Sequence, residues 1–169
     1  LRIAEAGIYQ PLWSERILAE VRGALVRKGL AESRVDRTLS FVRNAFPEAI
    51  VEGWERLEDA MGNHAKDRHV LAAAVRGHAD VIVTFNLRDF PQSVCSPLDI
   101  EVQHPDTFLC YELEQAPAAI QRILMEQAAG TGKLPHPRLT VSDVLAALEN
   151  CGAPVFAAMV RSRFNIEGS

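Results

Sequence analysis

The segment Asp80-Val81-Ile82-Val83-Thr84 constrains the fold more than any other in the chain. It is short, apolar and β-branched, the pattern of a strand buried on both faces. A strand of that kind needs helices above and below its sheet. The sequence supplies one directly before it, where Lys66 to Arg76 reads KDRHVLAAAVR and closes on Gly77. After it come the loop FNLRDFP and a second strand at about 100–103. Strand, helix and strand in alternation predict an α/β chain with a parallel sheet covered by helices.

The flanking segments extend this pattern. Ile8-Tyr9-Gln10-Pro11-Leu12-Trp13 predicts a short strand, weakened by Pro11. Ser14 can N-cap the helix that follows, Glu15 places charge in its first turn, and Ile17, Leu18, Val21, Leu25 and Val26 recur at helical spacing. Gly29 ends it. A second helix over about 32–45 puts Val35, Leu39, Val42 and Phe46 on one face before Pro47 stops it. Ala49-Ile50-Val51 predicts another short strand, and residues 52–65 a loop with one helical turn. From Pro105 the character changes: TFLCYELEQ, AAIQRILMEQAA, VSDVLAALEN and PVFAAMVRSRF all read as helices, with GTGKLPHPR as a Gly/Pro-rich linker among them. A boundary near residue 115 divides a first domain, 1–115, from a helical extension, 116–169. The opening LRIAEA is helix-like, with Gly7 at a C-cap position, but has neither an N-cap residue nor an initiator Met. The expectation is a start downstream of a lost segment, or from a non-Met codon.

The 169 residues suit one domain with an appendage, and 48% hydrophobic content is enough to bury a core. The net charge of −4 argues against coating nucleic acid through bulk positive charge, but not against a nuclease whose metals supply that charge locally. Residues 51–115 hold 5 Lys and Arg against 12 Asp and Glu, so this stretch is either a solvated acidic face or a place that needs cations. No apolar run is long enough to span a bilayer and no signal peptide is recognisable, which leads to a cytoplasmic expectation without membrane attachment. Cys95, Cys110 and Cys151 are an odd number without metal-type spacing and read as reduced thiols.

In an open parallel sheet, ligands collect beyond the carboxyl ends of the strands. Thr84, Asn86 and Asp89 lie just past the DVIVT strand, Asp67 at the head of the helix leading into it, and Glu20 in the helix after IYQPLW. Carboxylates gathered from distant parts of a chain repel one another unless a cation relieves them. Hard oxygen donors suit Mg²⁺ or Mn²⁺, which can activate water for displacement at phosphate. Each residue also has an ordinary structural role open to it. Asp67 can complement a helix dipole, Asp89 and Asn86 can serve turns, Glu20 can pair with Arg16 or Arg27, and Asp80 can simply begin a strand. His64 and His69 lack the spacing of helical metal motifs and are set aside as ligands. Arg27, Lys28, Arg34, Arg37 and Arg43 could meet RNA phosphates or form a solvated face, and Trp13 and Trp54 fit packing better than base stacking. The stripe Ile120, Ile123, Leu124 and Ala128 is a core face, or a partner-binding helix.

In combination, W-S-E-x-I-L-x-E-V, then K-D-x-H-V-L-A-A-A, then V-I-V-T-F-N-L-R-D-F-P, in that order, resemble the PIN domain family, and within it the VapC-type toxin ribonucleases of bacterial toxin–antitoxin pairs. The resemblance covers roughly residues 1–110, and the helical remainder is similar to an extension on one branch of VapC-like proteins. It implies a three-layer α/β/α sandwich with a metal-dependent acidic site. Glu20 matches the family's second acidic position and Asp67 the third. Thr84, Asn86 and Asp89 match the final cluster, in which many relatives carry Asp at the position of Asn86. Glu20, Asp67 and Asp89 would then hold Mg²⁺ or Mn²⁺ while Thr84 and Asn86 orient water or a ligand. The family's sheet begins with a strand ending on an Asp, and Glu5 is the only acid near the start of this sequence. The N-terminal strand and first ligand are therefore expected to be missing, and the activity impaired.

The implied function is an endoribonuclease toxin with an RNA substrate, a cognate antitoxin, and a homodimer or strand-supplying partner. Two rivals share the fold: a degenerate, non-catalytic form that only binds RNA or protein, and a structure-specific DNA nuclease.

Overall fold

A computed structural model describes residues 1–130 and 139–166. Ten α-helices and two strands are present among the described residues: α1 (Arg2–Glu5), α2 (Glu15–Arg27), α3 (Glu32–Ala45), α4 (Glu55–Glu58), α5 (Arg68–Arg76), β1 (Val81–Val83), α6 (Gln92–Cys95), β2 (Glu101–Gln103), α7 (Pro105–Gln115), α8 (Pro117–Gly130), α9 (Val141–Asn150) and α10 (Pro154–Phe164). They form two compact units. One is Gln10–Val102; the other joins Leu1–Tyr9 to Gln103–Ser169. The linker expected at GTGKLPHPR lies, beyond Gly130, outside the described residues.

In the unit Gln10–Val102, the buried Ser14 hydroxyl accepts from the Ile17 N–H at 3.3 Å and starts α2. Leu18 of α2 packs with Val35, Leu39 and Val42 of α3 around Trp13 and Ala49. Gly29, at φ +89°, turns the chain out of α2. The parallel sheet is the pair β1–β2. The two further strands expected at 8–13 and 49–51 are reduced to one parallel bridge, Trp13 with Ile50. There the Trp13 N–H donates to Ala49 O and the Val51 N–H to Trp13 O, both at 2.9 Å. The neighbouring sequence limits them: Pro11 has no N–H to offer, Ser14 already begins a helix, and Pro47–Ala49 is a 3₁₀ turn.

The second core of this unit is built on α5, whose Leu71, Ala72, Ala73 and Ala74 are buried with Ile82, Phe90, Cys95 and Ile100. Gly77 closes α5 at a crowded position. A Cβ there would lie 2.9 Å from Val51 Cγ2, 3.1 Å from Leu12 Cδ1 and 3.2 Å from the Ala73 carbonyl. The close approach favours glycine and sets α5 against the Trp13–Ile50 bridge.

The other unit is helical. Leu113, Ile120, Leu145, Phe156 and Val160 centre its core, and Ile3 and Ile8 pack against it. The buried Asp106 of α7 caps α10 from 50 residues away, accepting from the Phe156 N–H at 2.8 Å and the Val155 N–H at 3.0 Å. Thr140 and Asp143 form a capping box at the start of α9. All three cysteines are free thiols. Among the described residues, no helix is long and apolar enough to cross a membrane.

Candidate functional site

Two loops of the unit Gln10–Val102 build the site. The first follows β1. The Thr84 hydroxyl accepts from the Asn86 N–H at 3.1 Å and bends the chain, and Leu87–Asp89 then makes one 3₁₀ turn. The Asn86 side-chain amide donates to Asp89 Oδ2. The second loop precedes α5. Here the His64 N–H donates to the Asp89 carbonyl at 3.2 Å, stitching the loops together. Ala65–Asp67 is a 3₁₀ turn, which leaves Asp67 as the residue immediately before α5.

These bonds bring one potential ligand atom each from His64, Asp67 and Asp89 within 4.8 Å of one another. Lys66 Nζ stands beside the group, 2.9 Å from Asp89 Oδ2 and 3.8 Å from Asp67 Oδ2. Burial pushes the Asp67 carboxyl above its ordinary value, and the facing Asp89 carboxylate adds to the shift. Asp89 moves the other way, held below the usual range chiefly by the Lys66 ammonium. The two neighbouring carboxyls are thus pushed in opposite directions, Asp67 up and Asp89 down.

Asp67 Oδ2 is buried and has no hydrogen-bond donor. Such an atom costs free energy unless a donor or cation meets it. The two carboxylates are hard oxygen donors that suit Mg²⁺ or Mn²⁺, whereas the imidazole nitrogen suits a transition-metal ion better than Mg²⁺. The residues present thus fit a divalent ion.

The positions singled out from sequence fall into three groups. Asp67, Asp89 and Asn86 come together as described. Thr84 spends its hydroxyl on the turn that presents Asn86. Glu20 is outside the three-residue group; its Oε1 lies 3.2 Å from Nε2 of His69, two residues beyond Asp67, and 3.9 Å from Arg16 Nε. Asp80 contributes its carbonyl to β2, accepting from the Glu101 N–H at 2.9 Å.

His64 lacks the spacing of helical ligand motifs, yet it belongs to the group. It arrives there through a backbone bond to Asp89, which no residue spacing encodes. Lys66 belongs to no ligand motif. Its place directly before Asp67 was the available signal. Elsewhere, Arg43 of the basic run is engaged by both Glu15 oxygens at 3.0 and 2.7 Å. Trp13 and Trp54 are buried in cores and offer no face for stacking bases.

Residues 1–88 match the model described as PIN domain, and residues 105–162 match the model described as VapC50 C-terminal domain. A Mycobacterium tuberculosis protein (strain ATCC 25618 / H37Rv) named "Putative ribonuclease VapC50" is 40% identical over 121 residues, which are 72% of this chain and 69% of that protein. No solved structure matches the chain.

Proposed function

On the premise that this chain belongs to the PIN domain family, we propose that it is a metal-dependent endoribonuclease and the toxin half of a toxin–antitoxin pair. The observation that carries the proposal is the buried, unpartnered Asp67 Oδ2 facing Asp89 and His64. Asp67 and Asp89 would hold Mg²⁺ or Mn²⁺, with His64 as a nitrogen donor and Glu20 as the further acid that the family resemblance implies. A divalent ion bound there supplies charge to activate water and to stabilise the phosphate during in-line displacement. The chain's own residues do the rest. Asn86 fixes the Asp89 carboxylate through its amide, Thr84 fixes Asn86, and Lys66 balances Asp89 and can receive a phosphate oxygen.

RNA is the proposed substrate and a cognate antitoxin the proposed protein partner, since the relative's name places it among VapC-type ribonucleases. A homodimer or strand-supplying partner and a cytoplasmic location belong to the same proposal. Glu5 is exposed on α1 and is not one of the three grouped residues.

The test is Mn²⁺ titration by calorimetry, followed by cleavage of matched labelled RNA and DNA. Mn²⁺ uptake and RNA cleavage are expected. Selective DNA cleavage would favour a structure-specific DNA nuclease. A second, non-catalytic reading draws on Lys66, which already neutralises the acids without a metal. RNA or protein binding without Mn²⁺ uptake would favour it.

A further inference from the structure

His69 is the fully buried polar side chain to which the proposed chemistry gives no task. Its exposure is 0%, and neither ring nitrogen makes a hydrogen bond of good geometry. An imidazole cut off from water in this way is less favourable than an aliphatic side chain of similar volume unless a polar partner uses it. The partner in reach is Glu20, whose Oε1 lies 3.2 Å from Nε2. The distance suits a hydrogen bond and only the alignment is poor. Glu20 has a half-exposed side chain, so a small rotation of its carboxylate completes the bond.

The surroundings fix the imidazole rather than the acid. His69 lies against Trp54 with ring centroids 6.1 Å apart, and the Arg16 guanidinium covers the same indole at 5.8 Å. Arg16 is itself anchored to Glu58 at 2.8 Å and reaches Glu20 at 3.9 Å. Because α5 begins at Arg68, the helix sets the spacing between Asp67 at its head and His69 in its first turn.

We propose that His69 is a positioning residue: its ring donates Nε2–H to Glu20 and ties that carboxylate to the helix end that presents Asp67. This role rests on the metal-site reading above. Partners that orient a ligating carboxylate typically contribute about 10–100-fold to metal affinity.

The experiment uses the whole chain. His69→Leu should weaken Mn²⁺ binding about tenfold or more, while His69→Gln, whose amide can still donate, should stay within about threefold of the parent. In a Glu20→Gln background, His69→Leu should cost nothing further, because the residue acts through Glu20. A purely structural residue would add its cost in both backgrounds. Nitrogen-15 NMR of the metal-free chain should show the His69 ring protonated on Nε2, with that signal shifted by Glu20→Gln. Unchanged Mn²⁺ affinity in His69→Leu, additive losses, or an Nδ1-protonated ring each overturn the proposal. If the parent takes up no Mn²⁺, the metal-site reading fails. The tautomer and its response to Glu20→Gln then decide whether His69 holds Glu20, and they also decide if His69→Leu does not fold.

Discussion

Two aspartates, one in each compact unit, illustrate how the same side chain serves two ends. Asp106 in the helical unit is buried and filled: two backbone N–H groups at the start of α10 point at its oxygens. Asp67 in the other unit also has a buried oxygen, but no donor reaches it, and a second carboxylate stands opposite. Asp106 is completed by its own chain and holds the architecture. Asp67 is left incomplete, at a cost in stability, which is how a group reserved for something outside the chain behaves.

The sharpest way to break this contrast is Asp67→Asn, which keeps the shape and removes the ionisable acid. RNA cleavage should fall by about 10²-fold or more, as expected when charge stabilisation of the transition state is lost. Stability should move the opposite way. The Asp67 carboxyl is raised in the fold, so its contribution is favourable at low pH and is lost as pH rises through the raised value. At neutral pH the variant should therefore melt at a higher temperature than the parent, and the gap should close on acidification. Full cleavage, or a lower melting temperature at neutral pH, would remove the distinction between the two aspartates.

Asp106→Ala is the mirror experiment. It deletes the cap and leaves two N–H groups at the head of α10 without their acceptor. Denaturant unfolding should show a loss of about 2–3 kcal/mol. Mn²⁺ affinity should stay within about twofold of the parent. A large loss of metal binding in this variant would mean that Asp106 is not purely architectural.

What could be read from the sequence follows the range of the interactions involved. The helices were legible because their signals are local: Ser14 as a cap, Gly29 and Gly77 as ends, apolar residues at helical spacing. Asp67 and Asp89 were legible because they flank a recognisable helix–strand unit. The cap on α10 was not, because its acceptor lies 50 residues upstream. His64 was not, because a backbone bond carries it to Asp89. The strands at 8–13 and 49–51 were overestimated because apolar alternation carries no information about hydrogen-bonding partners, and here only Trp13 and Ile50 pair.

Gly77→Ala tests the packing that supports the site. The added methyl meets Val51 and Leu12 side chains at 2.9 and 3.1 Å and the Ala73 carbonyl at 3.2 Å. Overpacking of this kind costs about 1–3 kcal/mol. Gly29→Ala is the control, since φ is +89° there but nothing crowds the added Cβ. That change should cost about 1 kcal/mol, from backbone conformation alone. Equal losses at the two positions would show that the crowding at Gly77 is relieved by its neighbours.

The smallest expected effect concerns Lys66, which stands beside both acids. Its ammonium holds Asp89 ionised and occupies part of the space that a divalent ion would share. Lys66→Met keeps the length of the side chain and removes the charge. Two consequences compete. Losing the ammonium removes a competitor for the carboxylates, which strengthens Mn²⁺ binding. It also lets the Asp89 carboxyl rise toward its ordinary value, which weakens binding only where that group begins to take up a proton. At neutral pH the first effect dominates, and calorimetry should show about threefold tighter Mn²⁺ binding, a modest change because Lys66 is mostly exposed and solvent screens its charge. On acidification the advantage should shrink, because the variant has lost the charge that kept Asp89 ionised. Parent affinity should also decline with acid, since burial raises the Asp67 carboxyl and protons then compete with Mn²⁺ for it. A variant that binds Mn²⁺ more weakly than the parent at neutral pH would show that Lys66 assembles the acidic pair rather than competing for it, and that Asp67 is less open than its unpartnered oxygen implies.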